Sequence, residues 1–189
     1  MNAIRQRTLK DSTIPKVVLY GILAVLIVGV LAVAGSLGSG YFLPPEYSFK
    51  RMVVISQPPD AVWQVLTDFA AHPEWRTNLR GMERIADRDG RQTWLATQIN
   101  GQQATMEIAQ AIAPLKLVCL FINSRNSPQM TWEFDITPVG KATEVELFQS
   151  TTIPDPWMRA IERFAPGTRG ADDFLRSLAR KFGDPPVVQ

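Results

Sequence analysis

His72 is the single histidine and Cys119 the single cysteine in a chain of 189 residues. A Ser–His or Cys–His catalytic pair would have to use His72. It stands in "AHPEW", directly before a proline, and the pattern reads as a surface turn where one helix breaks. No G-x-S-x-G nucleophile stretch is present. Cys119 lies in "KLVCLFIN", an apolar strand-like run, and reads as a small core residue. One histidine, one cysteine and no carboxylate–histidine cluster predict no metal centre. "GSLGSG" follows an apolar run and is not framed by a strand and a helix, so it does not read as a phosphate loop, and no cofactor is expected. Glu107, Arg125 and Glu133 remain for acid–base chemistry. They reach an interior only if their strands shift register by one residue, because such a slip turns every side chain to the other face. In the unshifted register they face solvent, and no residue is assigned as catalytic.

The elements that must position these residues fall into two regions. Residues 1–40 carry four basic side chains, Arg5, Arg7, Lys10 and Lys16, and one acid, Asp11. The remainder holds 16 basic and 17 acidic residues, so the basic balance of the chain comes from its N-terminal end. The rest has no cationic surplus to bind phosphate backbones, which excludes nucleic acid as an expected partner.

"VVLYGILAVLIVGVLAVAGSLGSGYFL", Val17 to Leu43, has no charged residue and exceeds the ~20 residues that span a bilayer. The expected organisation is a short tail over 1–16, a transmembrane signal anchor over 17–39, a linker over 40–46, a folded domain over 47–183 and a loose tail over 184–189. Tyr20 and Tyr41 suit the two interfaces, and the N-terminal basic residues outnumber Lys50 and Arg51 beyond the run. This predicts a cytoplasmic N-terminus and an extracytoplasmic domain, as in a bacterial inner membrane facing the periplasm. A cleaved signal peptide ending at Ala32-x-Ala34 is the competing reading, but the apolar run is longer than a signal core needs. "GSLGSG" reads as a flexible exit linker.

The folded region opens with "YSFKRMVVIS", strand-like and closed by Pro58-Pro59. The prolines also suit a helix start, with Asp60 in the first turn. Val62, Val65, Leu66 and Phe69 then form one helical face. Strand candidates follow, with hairpin signals at Asp89-Gly90 and Asn100-Gly101, a break at Pro114, and turns at "NSP" and "VGK". About seven strands joined mainly by hairpins predict an antiparallel sheet. Trp132, Phe134 and Ile136 share a face, as do Val145, Leu147 and Gln149. That face needs a cover, which the C-terminal region offers. Asp155-Pro156 starts a helix with Trp157, Ile161 and Phe164 on one side. "ADDFLRSLARKFG" sets Phe174, Leu175, Leu178 and Phe182 at helical spacing, and Gly183 ends it.

Strand, two small helices, six strands and a long terminal helix is an α+β helix-grip order. The chain resembles the START-like (SRPBCC) superfamily in its polyketide cyclase/dehydrase branch over residues 47 to 183. The resemblance rests on "PPDAVWQVLTDFAAHPEW", with Pro59, Val62-Trp63, Asp68-Phe69 and Pro73-Trp75, and on "TWEFDITPVGKATEVELFQS" and "FLRSLARKFG". It implies a curved seven-stranded sheet round the terminal helix, with an apolar cavity between them.

The expected cavity walls are Trp94, Met106, Ile108, Trp132, Phe134, Phe174 and Leu178, with Gln98, Asn123 and Gln149 as polar spots that orient a ligand. The same residue types fill an ordinary core, so each has both readings. Trp63 and Trp75 are expected to anchor the small helices. The implied function is a membrane-anchored binding or carrier domain for a hydrophobic small molecule or lipid. A cyclase/aromatase-like enzyme and a protein-interaction module at the membrane are the alternatives.

Overall fold

The computed structural model describes residues 16–122, 129–164 and 169–189. Helix α1 (Lys16–Gly38) leads through a 3-10 turn (Ser39–Tyr41) to strand β1 (Glu46–Ile55). Helix α2 (Pro59–Thr67), a 3-10 turn (Phe69–Ala71) and the short α3 (His72–Trp75) follow. Six strands come next: β2 (Leu79–Arg88), β3 (Arg91–Gln98), β4 (Gln103–Ile112), β5 (Lys116–Ile122), β6 (Gln129–Val139) and β7 (Ala142–Thr152). Helices α4 (Pro156–Phe164) and α5 (Arg169–Lys181) complete the order.

The strands form one antiparallel sheet in the order β1-β7-β6-β5-β4-β3-β2. The turns have local causes. Asp89 and Gly90 both take positive φ, 50° and 73°, as a two-residue hairpin requires. Gly101 and Gly140 do the same in the next turns, at 82° and 64°. The "NSP" turn lies outside the described residues.

Register puts the apolar side chains on one face. Trp132 stands opposite Cys119 and Gln149, and Phe134 opposite Leu117 and Leu147. Helix α5 covers this face with Phe174, Leu175 and Leu178, all buried. Each contributes roughly 1.5–3 kcal/mol of burial. Gly183, at φ 78°, ends α5 in a Schellman arrangement. Its N–H donates to the Arg180 carbonyl at 3.1 Å, and the Asp184 N–H to that of Ala179 at 2.9 Å.

The ends of the domain differ from the sequence reading in three places. Helix α1 continues through most of "GSLGSG", and Gly40 is packed so tightly that a Cβ there would sit 1.8 Å from the Pro156 carbonyl oxygen. This stretch is the end of α1 followed by a docked turn, and not a free linker. Helix α4 does not cover the sheet: Trp157 and Ile161 are 52% and 49% exposed, while Ala160 is buried towards Gly40. Its start is as expected, with the Trp157 N–H donating to Asp155 Oδ1 at 2.8 Å. The tail is not loose. Gln189 exchanges backbone hydrogen bonds of 3.0 and 2.9 Å with Met52, covering part of the β1 edge.

Candidate functional site

A small hollow lies between the sheet and the helices. Leu66 from α2, Phe69 from the 3-10 turn and Phe174 from α5 close it from above. Met106, Leu117, Cys119, Phe121, Trp132 and Phe134 form its floor. Its free volume is about 10 Å3, room for about one water. Phe174 is the hub of the packing. Its ring lies 5.2 Å from Phe134, 5.3 Å from Trp132, 5.5 Å from Trp75 and 6.0 Å from His72. A wider depression of about 540 Å3, between the β4–β5 turn and strands β6 and β7, is open to solvent, and its Lys116 is already paired with Glu133 and Asp135.

Two polar side chains enter the hollow, and both come from α3 and its C-terminal cap. His72 is 3% exposed and not at the surface. It also keeps helical geometry, φ −54° and ψ −40°, despite the proline that follows. Its ring packs against Phe69 and Trp75 at 5.3 and 4.8 Å, and this burial outweighs the pre-proline preference for extended backbone. His72 Nε2 donates to the Leu66 carbonyl at 3.1 Å, which leaves Nδ1 as the bare acceptor, buried and, among the described residues, without a hydrogen-bond partner. Burial, followed by the charge of Arg76, lowers its pKa to about 4, so the ring is neutral at pH 7.

Arg76 is 8% exposed. Its backbone N–H donates to the His72 carbonyl at 2.9 Å, and its guanidinium carbon sits 4.8 Å from the Phe174 ring centroid. Among the described residues its Nε has no hydrogen-bond partner and no ion pair reaches the group. Burial lowers its pKa to about 10, which still leaves it charged at neutral pH. Cys119 lies on the floor, its thiol pushed up to about 12 by burial against the opposing pull of Arg76. The sequence reading missed Arg76. Its spacing of four from His72 places both on one side of a helical turn, and that was the available signal.

The expected site residues divide. Met106, Trp132, Phe134 and Phe174 line the hollow. Trp94 lies beside it, 5.4 Å from Phe69, with a buried indole N–H that has no hydrogen-bond partner among the described residues. Ile108 is half-buried against the same core, and Leu178 is fully buried in it; neither lines the hollow. Gln98 stands at the β3–β4 turn, away from the lining. Gln149 is buried but already engaged. It accepts from Trp132 Nε1 at 2.8 Å and donates to Thr151 at 3.2 Å, so it orients a core tryptophan. Asn123 and Arg125 lie outside the described residues. Trp63 and Trp75 pack against the core from α2 and α3.

Glu107 and Glu133 occupy the opposite face of the sheet, as the unshifted register requires. Glu107 is nonetheless 3% exposed, covered by Arg88 and Arg91, each 3.5 Å away. Glu133 pairs with Lys116.

A family model described as polyketide cyclase/dehydrase and lipid transport matches residues 47–183. The chain belongs to this family. Its sheet and terminal helix are those of the START-like, or SRPBCC, helix-grip fold. The Zhui aromatase/cyclase from Streptomyces sp. R1128 superposes with a TM-score of 0.60 at 14% identity, covering 72% of this chain and 93% of that one. Norcoclaurine synthase from Thalictrum flavum gives 0.60 at 11% identity, covering 72% and 92%. A START superfamily protein from Mycobacterium smegmatis gives 0.55 at 15% identity, covering 71% and 96%. At these identities the likeness is one of fold. No curated protein matches the chain.

Proposed function

We propose that this member of the polyketide cyclase/dehydrase and lipid transport family binds or carries a hydrophobic small molecule or lipid at a membrane surface. The observation that carries the reading is the hollow under Phe174. Its walls are aromatic and aliphatic, and two side chains with unpartnered nitrogens enter it. Small-molecule sites have this lining, apolar with a few convergent polar groups, and at about 10 Å3 this hollow must widen to admit a ligand. Binding is favoured over catalysis because the carboxylates available for acid–base work, Glu107 and Glu133, stand on the other face of the sheet.

The membrane side of the proposal rests on α1 and α4. Among the described residues, one helix is long and apolar enough to cross a bilayer, and it lies near the N-terminus. Helix α4 docks against its end, with Trp157, Met158 and Ile161 exposed, and Tyr41 and Phe42 are exposed beside it. An apolar helix face next to a membrane span suits the interfacial layer. In this reading α1 is an uncleaved signal anchor, the tail before it is cytoplasmic, and the domain is extracytoplasmic.

The test is native mass spectrometry of the full chain purified in mild detergent, beside solvent extraction. A bound apolar mass lost on denaturation is the expected result. An empty, folded protein that also takes up no lipid on incubation would overturn the reading.

A further inference from the structure

Among the described residues, nothing in the lining of the hollow balances the charge of Arg76. Arg76 is more than nine-tenths buried, its Nε is unpartnered, and the residues around it are apolar, aromatic, a neutral imidazole and a protonated thiol. No acidic residue among those described lines the hollow. An isolated buried cation is costly, and proteins normally bury charges only in pairs. The face of Phe174 is a weak partner beside a carboxylate, which a guanidinium can hold through two parallel hydrogen bonds. Next to it, His72 Nδ1 is an acceptor with no donor among the described residues, so the same corner can also receive a hydroxyl.

We propose that Arg76 is the recognition residue for the head of an amphiphilic monoanion, an apolar body ending in one carboxylate. This rests on the reading of the hollow as a hydrophobic ligand site and specifies its ligand class. One cation matches one negative charge, so a fatty-acid-like carboxylate fits better than a phosphate dianion. The Phe174 ring occupies the place over the guanidinium. The ligand displaces it, its head on Arg76 and its chain among Phe69, Met106 and Trp132. Arg76 is a binding residue here, with no bond made or broken.

The experiment offers the full-length chain, held in amphipol, an equimolar mixture of palmitic acid and methyl palmitate. The bound masses are read by native mass spectrometry. The ester keeps the apolar body and removes the charge. The expected result is a preference for the acid of roughly ten-fold or more, the size of one charge-assisted hydrogen bond. Arg76→Gln should bind both equally, at the level of the ester, and Arg76→Lys should keep part of the preference. Equal binding of acid and ester by the unaltered chain would overturn the proposal and leave the hydrophobic site standing. Binding of neither would overturn both. Because the unaltered chain alone gives this comparison, the test stands even if Arg76→Gln fails to fold.

Discussion

His72 Nε2 donates to the carbonyl of Leu66 at 3.1 Å, six residues back along the chain, and so ties α3 to the last turn of α2. The ring is buried and held neutral, with its pKa lowered to about 4 from the usual 6.5. The unfolded chain therefore binds a proton between about pH 6.5 and 4 that the folded chain does not. Stability rises with pH wherever the unfolded state holds more protons. The contribution is complete above pH 6.5 and is lost as pH falls towards 4, with a size on the order of 3 kcal/mol. Urea unfolding followed by tryptophan fluorescence should show this loss between pH 7 and pH 4. His72→Gln should flatten that part of the profile.

Cys119 offers a second readout. It is 2% exposed and its thiol is pushed up to about 12, so the folded protein should not react with iodoacetamide at pH 8. Labelling should rise in step with global unfolding in denaturant. As the one cysteine in the chain, it reports the core without engineering. Rapid labelling under native conditions would show that the sheet–helix interface opens locally.

Gly40 is needed for close approach. A methyl group there would meet backbone oxygen, which cannot swing aside. Gly40→Ala should push α4 off the turn at a cost of about 1–3 kcal/mol, the usual range for overpacking. Limited proteolysis should then cut faster around residues 153–156, with the sheet core still resistant. Unchanged cleavage would mean that α4 adjusts without loss.

Trp157 tests the membrane-facing surface. The full chain in vesicles with brominated acyl chains should lose part of its tryptophan emission, and Trp157→Phe should remove that loss. Stability should change by less than about 0.5 kcal/mol, as for other exposed positions. Quenching that is the same with and without Trp157 would place α4 away from the lipid.

The sheet was legible because its causes are local. Trp132, Phe134 and Ile136 alternate with polar residues, and Asp89-Gly90 and Gly140 mark their turns in the sequence itself. Helix α5 was legible for the same reason, from the spacing of Phe174, Leu175 and Leu178 and the glycine at its end. The site was less so. The place of His72 is set by Phe69 and Trp75, close to it in the chain, together with Phe174 from α5, which no local window contains. Gln149 looked like a free amide and proved to be held by Trp132 on the neighbouring strand. Helix α4 carries an apolar stripe like that of a core helix, but the stripe does not say which surface it meets. The pairing of Gln189 with Met52 joins residues far apart in the chain and leaves no pattern in either.

Phe174 touches Phe134, Trp132, Trp75 and His72 and roofs Arg76 at the same time. Aromatic pairs of this kind are worth about 0.5–1.5 kcal/mol each. They share one ring, so they are lost in a single rotamer change and not one after another. An occupant that displaces the ring must make good that whole set of contacts together. Selectivity would then begin with the cost of moving one side chain, before any shape is compared.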